Sequence, residues 1–180
     1  MTYFELFSKA KFVTRFSGLN LIQPERLESH IIEMIGLAMD LDKEFKGSFN
    51  LEHLVYLISI HDIDECVTVD IPRPFKYFTK EFREALDINL YKYLDSLGFE
   101  DSFIYEVSNA KKFGLEGRLL NLLDLFQVKL KLLTERSLGN SNLKVELNNI
   151  HNYIDTLYRE DEELRPYILH LNKLINTLNL

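Results

Sequence analysis

Three separate apolar stretches of this chain carry an ionisable side chain where an apolar one is expected. His61 and Asp62 are adjacent and close the run Leu54-Val55-Tyr56-Leu57-Ile58-Ser59-Ile60. Glu65 follows His61 by four residues, a spacing that places both on one face of a helix with Asp62 beside them. His30 interrupts a stripe in line with Leu27, Met34 and Leu37, and Asp124 sits within Leu119-Leu120-Asn121-Leu122-Leu123-Asp124-Leu125-Phe126. An imidazole or carboxylate in such a setting is costly unless a cation or a hydrogen-bond partner meets it. His30, His61, Asp62 and Asp124 together form a ligand set for one divalent metal. Mixed nitrogen and oxygen donors suit Zn, Mn, Fe or Co better than Ca. Positions left open in such a shell hold water, whose pKa the metal lowers, making it a nucleophile at neutral pH.

Each residue alone has a plainer reading. A buried histidine is ordinarily a satisfied core residue, and Asp124 could be half of an ion pair with Lys129 or Arg118. The combination favours the metal. His53, His151 and His170 lack ligand-like spacing, and Cys66 reads as a small core hydrophobe. No Walker loop, His-Glu-x-x-His or Gly-x-Ser-x-Gly motif is present, and one cysteine cannot supply the ligands of the zinc nucleobase deaminases.

The elements that must position these groups read as helices. Apolar residues recur at spacings of three and four, and only seven Gly and four Pro punctuate the 180 residues. The fold class expected is all-α, and the length suits a single domain over 1–180. Predicted helices cover Tyr3 to Phe12 (with Phe4, Phe7 and Phe12 buried), Glu25 to Phe45 with Pro24 in its first turn, Asn50 to Cys66, Thr79 to Leu97 and Glu116 to Leu138. One or two more follow in Leu143 to Leu180, the last starting near Pro166. Thr14 to Gly18 reads as a loop, and Pro72 and Pro74 exclude ordinary helix between Val69 and Phe75. The stripe Ile154, Leu157, Tyr158, Leu164, Ile168, Leu171, Leu174 and Ile175 is expected in the core, or else in an oligomer interface.

Composition bounds the partners. With 46% hydrophobic residues the chain can build a sizeable core. The 21 Lys and Arg against 28 Asp and Glu, net charge −7, argue against a groove for a nucleic-acid polymer. The lone Cys66 forbids an internal disulfide and makes the cytoplasm the expected compartment. No stretch is apolar for the ~20 residues a membrane span needs, so no membrane partner is expected. No secretory signal is visible in Met1 to Ala10.

The order His30, His61-Asp62, Asp124 resembles the HD-domain metal-dependent phosphohydrolases. The closer resemblance is to the bacterial HD-domain 5′-deoxynucleotidases. It rests on His61-Asp62-Ile63-Asp64-Glu65, four residues, Asp70, then Ile71-Pro72-Arg73-Pro74-Phe75-Lys76-Tyr77. That family runs His-Asp, two residues, Glu, four residues, Asp, and a Leu-Pro-x-Pro-x-Lys-Tyr-like string. The match covers about residues 1–140, and Arg15-Phe16 stands where the family has an Arg-Trp pair. A bacteriophage branch that includes dATP triphosphohydrolases is similar in length and motif.

The resemblance implies a single HD-domain helical bundle with the metal site between helices. It makes His30, His61, Asp62 and Asp124 the metal ligands and Glu65 the catalytic glutamate. Asp70 would lie near the sugar and leaving oxygen, Arg15 on the phosphate, and Lys76 in a supporting electrostatic role. Phe16 takes the place of a tryptophan that excludes a ribose 2′-hydroxyl, and Asn121 replaces the family's lysine three positions before the last aspartate. The implied protein is a homo-oligomeric, cytoplasmic nucleotide phosphohydrolase of a bacterium or an infected host cell. The expected reaction is conversion of deoxynucleoside monophosphates to deoxynucleoside and phosphate. Triphosphohydrolysis of a dNTP is the near alternative, and a non-catalytic helical metal-binding module the distant one. Asp62→Ala is expected to lose bound metal and nucleotide hydrolysis together, measured by metal analysis and phosphate release. Full metal content with full activity would remove the premise.

Overall fold

The protein was analysed as a computed structural model, which describes residues 1–76 and 78–178. Tyr77, in the proline string, and the last two residues of the C-terminal segment lie outside them. Thr2 opens α1 (Tyr3–Phe7) with a capping box to Glu5, but the helix ends after five residues. A 3₁₀ turn, Ala10–Phe12, follows. The expected helix to Phe12 is therefore broken, and Phe4 and Phe12 point to solvent instead of the core. The turn leads into β1 (Thr14–Arg15), which pairs antiparallel with β2 (Glu25–Arg26), Arg15 opposite Glu25. Thr14 and Arg15 are thus strand, where a loop is expected. Pro24 precedes that strand and does not start a helix.

The long α2 (Leu27–Glu44) begins where the ladder ends, burying Leu27, His30, Met34, Leu37, Ala38 and Leu41. Next comes α3 (Leu51–Ile60), capped by the Asn50 side chain. Its apolar run stops at His61. Ile63, Glu65 and Cys66 then donate backbone bonds three residues back, a tightened turn, before the short α4 (Glu65–Thr68). His61 and Asp62 therefore sit in a turn between helices, not inside one helix running to Cys66. Pro72 precedes a single helical turn, α5 (Arg73–Lys76). Then come α6 (Lys80–Ser96), started by Thr79 and stopped at Gly98 (φ +85°), and α7 (Asp101–Asn109). A second 3₁₀ turn, Ala110–Lys112, joins α8 (Gly114–Ser137). After a third turn, Ser141–Leu143, the chain ends in α9 (Lys144–Glu160) and α10 (Arg165–Thr177), with Pro166 in the first turn as expected.

The all-α class holds, with a two-residue ladder as its only sheet among the described residues. The buried faces of α2, α3 and α8 meet around Met34, Leu41, Leu57, Leu123 and Phe126, all fully enclosed. Ile154, Leu164, Ile168, Leu171 and Ile175 join that core from the C-terminal helices. A smaller cluster, Ala10, Val13 and Leu27, packs with Ile31 and Cys66 beneath the ladder and fixes it over α2. No described helix is long and apolar enough to cross a membrane.

Gly117 marks the tightest junction. A Cβ there would stand 2.9 Å from the Ala110 carbonyl oxygen and 3.0 Å from the Lys111 carbonyl carbon, so only glycine lets the Ala110–Lys112 turn lie on α8. Gly117→Ala is expected to destabilise the protein by about 1–3 kcal/mol, read from its denaturant midpoint.

Candidate metal centre

The three stretches converge at one end of the α2–α3–α8 core. His30 comes from the first third of α2, His61 and Asp62 from the turn after α3, and Asp124 from the middle of α8. Donor atoms of His30, His61 and Asp124 lie within 4.8 Å of one another. His30 Nε2 is 3.4 Å from His61 Nε2, 3.6 Å from Asp124 Oδ1 and 3.8 Å from Asp62 Oδ2. Asp62 Oδ2 is 3.2 Å from His61 Nε2.

Both rings have their other nitrogen committed. His61 Nδ1 donates to the Ile58 carbonyl at 2.8 Å, since a carbonyl can only accept. His30 Nδ1 is 2.7 Å from Gln127 Oε1. The amide of Gln127 is oriented by Glu25 and Glu33, whose carboxylates accept from its Nε2 at 2.8 and 2.9 Å, leaving the oxygen toward His30. Burial, with the Arg15 guanidinium second, lowers the His30 pKa to about 3 and keeps the ring neutral. Its Nε2 therefore carries a bare lone pair, directed at another imidazole nitrogen and two carboxylates. That donor set suits a divalent transition metal, and the residues present fit the group.

Arg15 is the other organising group. It is 9% exposed, and its guanidinium lies 2.6 Å from Asp62, 3.4 Å from Glu25, 3.8 Å from Asp124 and 3.9 Å from Glu65. Burial opposes the charge of Arg15, but Asp62, Asp124 and Glu65 outweigh it and raise its pKa. Burial would also raise Asp62 and Asp124. His61 and Arg15 hold Asp62 well below the usual carboxylate range, and chiefly Lys111 does so for Asp124. Glu65 goes the other way. Burial first, and the Asp62 charge second, push it up to about 9, and its Oε2 is buried without a hydrogen-bond partner.

The remaining residues singled out in the sequence stand around this cluster. Ser17 donates from its backbone N–H to Asp70 Oδ2 at 3.2 Å and from its hydroxyl to the Asp70 carbonyl at 2.9 Å, tying Asp70 to the segment after Phe16. Arg15 lies over the Phe16 ring at 5.7 Å. Phe16 (φ +57°) and Val69 (φ +61°) are both in the left-handed region, so the backbone is strained on either side of the Ser17–Asp70 contact. Lys76 pairs with Asp64 at 3.5 Å, one residue before Glu65, and not with the donor cluster itself.

Sequence reading missed Lys111, which reaches Asp124 Oδ2 from the turn before α8. Neither partner proposed for Asp124 meets it: Arg118 pairs with Asp161 and Glu163, and Lys129 bonds Asn172. Gln127, Glu25 and Glu33 were also missed. The available signal was Gln127 three residues after Asp124, a polar side chain on the same apolar helix.

This fold and donor cluster define a metal-dependent HD-domain phosphohydrolase. The chain matches the YfbR-like 5′-deoxynucleotidase family over residues 2–173 and belongs to that family. A 5′-deoxynucleotidase of Vibrio cholerae is 28% identical over 174 residues, 91% of this chain and 84% of that one. Two solved structures share the fold. An HD-domain phosphohydrolase from Listeria innocua superposes with TM-score 0.69 at 22% identity, over 97% of each chain. The cyanophage S-2L HD phosphohydrolase bound to dA and one catalytic Zn2+ superposes with TM-score 0.71 at 17% identity, over 98% of each.

Arg15→Met leaves two buried and two half-buried carboxylates without their shared cation. It is expected to lower the stability of the metal-free protein by about 3 kcal/mol. Added Mn2+ or Co2+ should then raise the melting temperature of the variant more than that of wild type, because no guanidinium competes. Equal shifts by differential scanning fluorimetry would contradict this.

Proposed function

We propose that this protein is a 5′-deoxynucleotidase that hydrolyses the phosphoester of a deoxynucleoside monophosphate to deoxynucleoside and phosphate. The observation that carries the reading is the convergence of His30, His61, Asp62 and Asp124 donors beside the buried guanidinium of Arg15. A divalent transition metal bound there supplies Lewis-acid polarisation and a lowered pKa for water. His30, His61, Asp62 and Asp124 are the residues that hold it.

The side chains divide the remaining work. Arg15 presents a planar fork on the side of Asp62 and Asp124, a geometry suited to two phosphate oxygens and to charge developing on them. Glu65 Oε2 is buried without a hydrogen-bond partner, and with a cation at the centre favouring the carboxylate form it would accept the proton of the attacking water. As the P–O5′ bond breaks, the proton that Glu65 took from the water passes to the leaving oxygen, with Asp70, held in place by Ser17, positioned to relay it. Phe16 contacts the sugar, and Lys76 acts at one remove through Asp64. The lone free cysteine and a nucleotide substrate support a cytoplasmic enzyme. A homo-oligomer is the assembly that the family resemblance implies for it.

The test is a panel of ribo- and deoxynucleoside mono- and triphosphates with Mn2+, Co2+ or Zn2+. Phosphate released from deoxynucleoside monophosphates is expected. Inorganic triphosphate from dATP, with no turnover of dAMP, would replace this reading by the triphosphohydrolase one. No hydrolysis of any member under all three metals would leave a metal-binding module.

A further inference from the structure

Gln127 is fully buried, yet every polar atom of its amide has a partner. Its nitrogen donates to Glu25 and Glu33, and its oxygen faces His30 Nδ1 at 2.7 Å. Because carboxylates only accept, this arrangement permits one orientation of the amide and one tautomer of the ring. The opposite tautomer, with the proton on Nε2, would turn an N–H toward Asp124 Oδ1 and leave no lone pair for a cation. Glu25 also stands opposite Arg15 in the β1–β2 ladder, with Oε2 3.4 Å from Arg15 Nε. One carboxylate thus touches both the arginine beside the site and the amide behind the histidine.

We propose that Gln127 is a positioning residue for the metal centre, locking His30 with Nε2 unprotonated, and that Glu25 holds Gln127 and Arg15 in one linked frame. The proposal rests on the reading of His30 as a metal ligand. Hydrogen-bonded partners behind ligating histidines are worth about ten- to a hundredfold in metal affinity. Gln127→Leu frees the His30 ring and removes the donor shared by Glu25 and Glu33. In the triple variant Glu25→Gln, Glu33→Gln and Gln127→Glu, donors and acceptor exchange places and an acceptor for His30 Nδ1 remains.

The tautomer is read directly in the metal-free wild-type protein by long-range 1H–15N NMR of 15N-histidine-labelled samples. Zn2+ affinity is then measured by chelator competition for wild type, His30→Ala, Gln127→Leu and the triple variant. The expected spectrum shows His30 protonated at Nδ1. Gln127→Leu should lose at least tenfold in Zn2+ affinity while its melting temperature shows a folded protein, and the triple variant should lie within about threefold of wild type. An Nε2–H signal for His30 overturns the proposal, and this result does not depend on any variant folding. Zn2+ affinity unchanged in Gln127→Leu but lost in His30→Ala also overturns it, leaving the ligand reading intact. Affinity unchanged in His30→Ala overturns the ligand reading, and the proposal with it.

Discussion

Glu25, Asp62, Glu65 and Asp124 are gathered so closely that one guanidinium, that of Arg15, lies within 3.9 Å of all four. Two unit charges 4 Å apart interact by about 4 kcal/mol at an effective dielectric of 20, so these acids converge as carboxylates only where positive charge among them offsets the repulsion. Much of the surrounding architecture serves that condition. The two-residue ladder carries Arg15 inward on a strand, where a free loop would let it turn to water. The Ala110–Lys112 turn brings Lys111 onto Asp124, and Gly117 allows that turn to lie flat on α8. The two imidazoles complete the set, each with Nε2 facing the cluster because its other nitrogen is occupied by Ile58 or Gln127.

Most of this was legible in the residues as far as periodicity and cost could carry it. Long amphipathic segments such as α2, α8 and α10 follow from apolar spacing, and the capping side chains of Asn50 and Thr79 mark real starts. His30, His61-Asp62 and Asp124 stood out because an ionisable group in an apolar run is unfavourable alone. Local pattern failed where a tertiary contact decides the backbone. Thr14-Arg15 becomes strand only because Glu25-Arg26, ten residues away, pairs with it. Phe4 and Phe12 satisfy a helical pattern, yet the early stop of α1 turns them outward. The His61 turn reads as continuing helix because Ile63 and Cys66 keep the apolar spacing.

The groups behind the site were the least visible. Gln127, Glu25 and Glu33 are ordinary polar residues until the fold stacks them behind His30, and nothing about their spacing announces a shared amide. Glu135 is similar. It is fully buried, accepts from the backbone N–H groups of Ile22 and Gln23 and from Asn140 and Lys131, and fastens the segment before β2 to the end of α8. Those bonds outweigh burial and lower its pKa to about 2, so it stays charged at neutral pH.

Asp124, Gln127, Lys131 and Glu135 follow one another at intervals of three, four and four along α8, and so share one side of that helix. The same rod therefore sets the phase of the cation-facing carboxylate, the amide behind His30 and the anchor of the incoming strand. Each residue of an α-helix advances about 100° around its axis. Inserting or deleting a single residue between 124 and 135 would swing Glu135 that far out of alignment with Asp124, however conservative its chemistry. In this stretch the length of the chain is under tighter control than the identity of most of its side chains.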